Sequence, residues 1–214
     1  MKILVIAAHP DDEVLGMGGT IKKLTKNGDD VSLCVVTEGA SAQYKDKRMI
    51  QVRKNACLQA GKILGVKDFK FLEFPDMKLD TIPHLEINQK LEKIIKEIKP
   101  AIVYTTPSND LNKDHQKVFE STLVASRSFS SSIKKILSYE ILGISKTPFM
   151  ANTYEDISKY FEFKIRAFKK YESEIEKFPH PRSNEALTIL ANLRGIESNL
   201  KKAEAFCLIR DIIH

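Results

Sequence analysis

A Rossmann-like, three-layer α/β fold with a mostly parallel sheet is what this 214-residue chain predicts. Three observations carry that expectation. Short aliphatic runs alternate with segments of helical periodicity, the pattern of repeated strand–helix–strand units. The first run, Ile3-Leu4-Val5-Ile6-Ala7-Ala8, is continuously apolar, as suits a parallel strand buried on both faces. It ends abruptly at His9-Pro10-Asp11-Asp12-Glu13, one imidazole and three carboxylates at the strand's carboxyl end. Open α/β sheets place their ligands at that end.

The elements follow in order. Strand 3–8 leads into a helix over 13–27, whose Gly16, Gly18 and Gly19 suit close packing on the sheet. They do not suit a dinucleotide loop, because three carboxylates stand where a pyrophosphate would have to bind. Strand 31–37 and helix 47–65 come next, then strand 69–73. In the helix over 84–98, Leu91, Ile94, Ile95 and Ile98 recur on one face, and Pro100 stops it. Strand 101–105, helix 114–126 and strand 134–142 complete the alternation. From about residue 150 the pattern changes: helices over 158–177 and 183–199 flank Pro179-His180-Pro181, and 203–210 reads as a last strand. No linker or repeat interrupts the chain. One domain over 1–214 is expected, with 1–145 as its α/β core and 146–214 walling the site.

Composition narrows the classes. The net charge of +6 comes from scattered lysines such as Lys22-Lys23 and Lys201-Lys202, which alternate with acids. That is a solvated surface rather than a nucleic-acid stripe, and some of the excess can favour an anionic small substrate. No apolar stretch approaches the roughly 20 residues of a membrane span. Met1-Lys2 runs straight into the first strand with no signal-peptide pattern, so a cytoplasmic protein is expected. Three cysteines without CxxC spacing offer neither a disulfide framework nor a Cys-based zinc site.

The chemistry lies in two clusters. Asp11-Asp12-Glu13 could simply cap the following helix. Capping, however, requires no preceding His-Pro and no second cluster, and Asn109-Asp110-Leu111-Asn112-Lys113-Asp114-His115 is such a cluster just beyond strand 101–105. His9, Asp12 and His115 form a two-His-one-carboxylate set, suited to Zn²⁺ with an open position, or to Fe²⁺ or another divalent ion. Asp11, between two ligands, is left for proton transfer, as a metal-activated hydrolase needs.

These residues resemble the LmbE/PIG-L family of metal-dependent N-acetylglucosaminyl deacetylases. The likeness runs through Ala8-His9-Pro10-Asp11-Asp12-Glu13, Leu15-Gly16-Met17-Gly18-Gly19, Thr37-Glu38-Gly39, Arg53, Pro75-Asp76 and Asp110 to His115, in order over about the first 140 residues. Pro179-His180-Pro181-Arg182-Ser183 and Arg194-Gly195 are similar to the tail of bacterial members. The resemblance implies removal of an N-acetyl group from a sugar or sugar nucleotide by metal-bound water, with Asp11 as general base. It implies a substrate-facing Arg53, and favours a homo-oligomer although no heptad seam is visible. Many members carry a histidine where this chain has Asn112, which can donate a hydrogen bond to substrate but no titrating proton. His180 is therefore the candidate general acid, and Arg182 the candidate ligand for a substrate phosphate or carboxylate. Asp114 reads as the group that orients a ligand from behind. His84 and His214 belong to no cluster. A different amide substrate, or a binding module without catalysis, are the competing readings.

Overall fold

The computed structural model describes residues 1–143 and 145–213; His214 lies outside the described residues. Its elements are β1 (Lys2–Ala7), α1 (Asp12–Lys26), β2 (Asp30–Thr37), α2 (Arg48–Leu64), β3 (Asp68–Phe74), α3 (His84–Ile98) and β4 (Ile102–Thr105). They continue with α4 (Lys113–Ala125), β5 (Lys135–Tyr139), β6 (Thr153–Asp156), α5 (Phe161–Phe168), α6 (Asn184–Ser198) and β7 (Ala203–Asp211). The seven strands form one sheet in the order β3-β2-β1-β4-β5-β7-β6. The first five are parallel, and β7 runs antiparallel to both β5 and β6.

The continuous apolar reading of β1 has its explanation in this order. The strand is central, and its side chains feed two cores in alternation. Ile3, Val5 and Ala7 pack with residues of α1 and α2 on one face, while Leu4, Ile6 and Ala8 pack with α3 and α4 on the other. Leu91, Ile94, Ile95 and Ile98 of α3 are all buried in the second core, as their spacing predicts.

The order reverses between β1 and β4. From β1 the chain builds outward through β2 and β3, then crosses back to lay β4 on β1's other side, with Leu4 paired to Val103. A crevice opens at such a switch point, beyond the strands' carboxyl ends. Both charged clusters of the sequence sit there.

The segment after residue 145 supplies β6, β7, α5 and α6 to the same sheet and its flank. The helix expected over 158–177 is shorter, spanning Phe161–Phe168. Tyr171 leaves helical geometry (φ −90°, ψ 57°) and buries its ring, with its hydroxyl donating to Glu13. A continuing helix could not deliver that side chain. β6 was not legible: its four residues, Thr-Tyr-Glu-Asp, lie on the sheet edge with no apolar run to mark them.

α1 is interrupted at Met17 (φ −148°, ψ 27°). The break frees backbone groups, and the C-terminal segment satisfies them. Glu204 accepts the Gly19 and Thr20 N–H groups at 3.0 and 2.7 Å, and the Lys164 ammonium donates to the Leu15 carbonyl at 2.8 Å. The α1 glycines are packing positions. A Cβ at Gly16 would collide with the Tyr139 ring, and one at Gly19 would lie 2.8 Å from Ile157.

Candidate metal centre and active site

The turn after β1 brings His9, Asp11 and Asp12 to the crevice. Asp12 does not cap α1 with its side chain; its Oδ2 accepts the His9 N–H at 2.8 Å. Asp11 precedes α1 without a side-chain cap bond, and at φ 123° it stands in backbone space that L-residues avoid. Such strain costs about 1–3 kcal/mol and concentrates at functional sites. The capping account of the acids therefore fails for both Asp11 and Asp12. Glu13 alone reaches back, its carboxylate 3.2 Å from the Asp11 N–H.

The turn after β4 supplies the second half. Asp110 Oδ1 accepts the Asn112 N–H at 2.8 Å, and Asn112 Oδ1 caps α4 by accepting the Asp114 N–H at 2.8 Å. These two local bonds set His115 on the first turn of α4, facing His9. His115 Nε2 lies 3.3 Å from His9 Nδ1 and 3.4 Å from Asp12 Oδ1. His9 Nδ1 is 3.4 Å from Asp12 Oδ2. All three residues are buried.

This donor set fits a divalent cation. Two imidazole nitrogens and a carboxylate face one another, and the buried Asp12 Oδ1 has no hydrogen-bond partner. Converging lone pairs need positive charge between them. Without an ion that charge would be carried by protons. Burial opposes the His115 imidazolium, yet Asp12 and Asp110 outweigh it and push its pKa up to about 9. His9 is raised well above its ordinary value in the same way, against burial, by Asp114, Asp12 and Asp76.

Behind each histidine stands a carboxylate. His115 Nδ1 is 2.8 Å from Asp110 Oδ2, and His9 Nε2 is 3.2 Å from Asp114 Oδ2 and 3.3 Å from Asp76 Oδ1. Such partners fix the ring orientation and tautomer of ligand histidines. Asp114 orients the distant His9, not its neighbour His115, and is itself held by the Met77 and Leu79 N–H groups at 2.8 and 3.0 Å. Sequence reasoning gave Asp110 and Asp76 no role. Their signal was present: each is an acid just beyond the carboxyl end of a strand, and Asp110 is five residues from His115.

Asp11 lies between two arginines. Its Oδ2 is 3.2 Å from Arg182 Nε and 3.4 Å from Arg53 Nη2, and neither carboxylate oxygen has a hydrogen bond. Burial pushes its pKa upward; Arg182 and Arg53 pull it part of the way back. Arg53, expected to face substrate, is only 2% exposed. It donates to the Gly39 carbonyl and, at 2.7 Å, to that of Pro10, so it holds the strained turn from beneath. Glu174 closes the same network, 3.4 Å from Arg53 Nε and accepting the Tyr44 hydroxyl at 3.1 Å. Arg182 comes in from the far C-terminal segment, a placement no local pattern announces. His180 is exposed and has no hydrogen bond or ion pair to His9, Asp12 or His115 among the described residues.

Comparison with known proteins shows the family. The family model described as PIG-L: GlcNAc-PI de-N-acetylase matches residues 4–126, the span that carries every ligand candidate. The chain belongs to that family. A protein named as an uncharacterized deacetylase, YaiS of Escherichia coli K12, is 34% identical over 180 residues, covering 80% of this chain and 90% of its own. Diacetylchitobiose deacetylase of Thermococcus kodakarensis is 30% identical over 190 residues, covering 81% and 70%. The solved structure of N,N'-diacetylchitobiose deacetylase from Pyrococcus horikoshii superposes with a TM-score of 0.83 at 24% identity, over 98% of this chain and 84% of that one. At that identity it speaks for the fold alone.

Proposed function

We propose that this deacetylase removes the acetyl group from an N-acetylated sugar or sugar nucleotide, with His9, Asp12 and His115 as its zinc ligands and Asp11 as general base. One observation carries the reading: a convergent His–Asp–His set beside a buried carboxylate that has no hydrogen bond of its own. Fe²⁺ or another divalent ion suits the same donors. An ion held there supplies Lewis acidity, which lowers the pKa of water from about 16 towards roughly 7 and polarises the amide carbonyl.

The protein's own groups do the rest. Asp11, unbonded and with its pKa raised by burial, accepts the proton of the attacking water. The same carboxyl group then returns that proton to the departing nitrogen, so that acetate and a free amino sugar result. Asn112 has its oxygen committed to the α4 cap, which leaves the Nδ2 amide to donate to substrate. Arg182 meets Asp11 through Nε, which leaves its terminal amino groups for a phosphate or carboxylate. The competing amidase reading uses the same machinery on another amide. A non-catalytic module is disfavoured by Asp11, since a strained, buried carboxylate without a hydrogen bond costs stability and serves no packing purpose.

Purified protein should hold about one divalent ion per chain and release acetate from a panel of N-acetylated sugars and sugar nucleotides, losing that activity to chelator. Absence of both bound metal and hydrolysis across the panel would refute the proposal.

We also propose that the chain self-associates through α6. Ile189, Leu193 and Ile196 stand 54%, 47% and 79% exposed, spaced as one stripe.

A further inference from the structure

Arg182 is tied at both of its backbone polar groups. Its N–H donates to His180 Nδ1 at 3.1 Å, and its carbonyl accepts the Glu176 N–H at 2.9 Å. The next residue, Ser183, is the N-cap of α6; its hydroxyl accepts the Ala186 N–H at 3.0 Å, and its own N–H donates to the His180 carbonyl at 3.1 Å. From this anchored point the Arg182 side chain spans to Asp11. A ring nitrogen that accepts an amide hydrogen is already in use, and a proton donor must come within hydrogen-bond reach of its target, or one water away. Exposed His180 meets Arg182, not the His9–Asp12–His115 group.

We propose that His180 is a positioning residue: its Nδ1 fixes the Arg182 backbone, and thereby the pose in which the guanidinium meets Asp11. This replaces the proton-donor role that the sequence suggested, and it rests on the deacetylase reading of Asp11. The physical reason is entropic. A long arginine side chain samples many rotamers, and a fixed Cα at the edge of the crevice removes the backbone's share of that freedom. The magnitudes separate the two roles. One neutral hydrogen bond is worth about 3- to 10-fold in kcat/KM, whereas loss of a general acid is worth roughly 100- to 10,000-fold.

The test uses the metal-loaded protein and four variants: His180→Ala, His180→Asn, Arg182→Ala and the His180→Ala/Arg182→Ala double. An asparagine carbonyl can replace Nδ1 as acceptor but cannot titrate. His180→Ala should lose about 3- to 10-fold in kcat/KM, and His180→Asn should recover most of it. The double variant should be no worse than Arg182→Ala alone, because the two residues act as one unit. Site-resolved amide exchange gives a readout independent of turnover: protection of the Arg182 N–H should fall in His180→Ala and persist in His180→Asn. Equal losses of 100-fold or more in both His180 variants would restore the proton-donor role, and additive losses in the double would uncouple His180 from Arg182; either overturns the proposal. If even the wild type hydrolyses nothing, the deacetylase reading fails by itself. Unchanged Arg182 protection in His180→Ala would then still refute the positioning role.

Discussion

Lys164 and Glu204 form a fully buried ion pair, 2.7 Å apart, in the gap where α1 breaks. Each also bonds backbone that the break leaves open, so the pair substitutes for missing turns of helix. Glu204→Ala would strand both the Lys164 charge and two N–H groups. It should lower the unfolding free energy by about 3–5 kcal/mol, the scale for breaking a buried pair, in chemical denaturation. A loss under about 1 kcal/mol would mean that water replaces the carboxylate freely.

Asp114 holds His9 from behind while its own oxygens are held by two backbone amides. Asp114→Asn should weaken metal affinity by roughly 10- to 100-fold without abolishing it. Titration with a competing chelator measures this directly, and an unchanged affinity would remove Asp114 from the ligand support.

Asp11→Asn separates base from ligand. Activity should fall by about 100-fold or more while metal content stays near one per chain. Parallel loss of metal would make Asp11 a ligand and invalidate the division of roles.

The pH dependence of the chelated protein has a definite sign. His115 rises from 6.5 to about 9 in the fold, so the stability it contributes is complete below 6.5 and is lost as pH climbs through 9. Glu13, pushed by burial up to about 8 from 4.5, acts in the same direction, costing stability as pH rises between those values. Thermal midpoints of the chelated form should therefore decline from neutral pH towards 9. Added metal should remove the histidine part of the decline, because binding takes the place of the protons. A midpoint that rises with pH in the chelated form would contradict the charge balance of the site.

Leu193→Glu should convert any dimer formed through α6 to monomer in sedimentation at micromolar concentration, with the metal retained. An unaltered sedimentation coefficient would clear that face of any role.

Much of this protein is legible in one dimension. β1 announces itself because a strand covered on both faces must be apolar throughout, and α3 because one face must repeat at helical spacing. His9, Asp12 and His115 are legible because each belongs to the turn or first helical turn that follows a parallel strand, and parallel strands bring all such turns to one edge. Tertiary structure alone decided the rest. It chose Asp114 for His9 and Asp110 for His115, since hydrogen-bond partners follow the facing of side chains across a crevice rather than their order along the chain. It buried Arg53 beneath Asp11, where helical periodicity could equally have left it in solvent. It brought Arg182 to Asp11 across 170 residues of sequence, with His180 beneath its backbone, through a turn whose purpose appears only once α6 is packed. Local pattern records what a residue must bury; which groups then meet is set by how the buried faces close on one another.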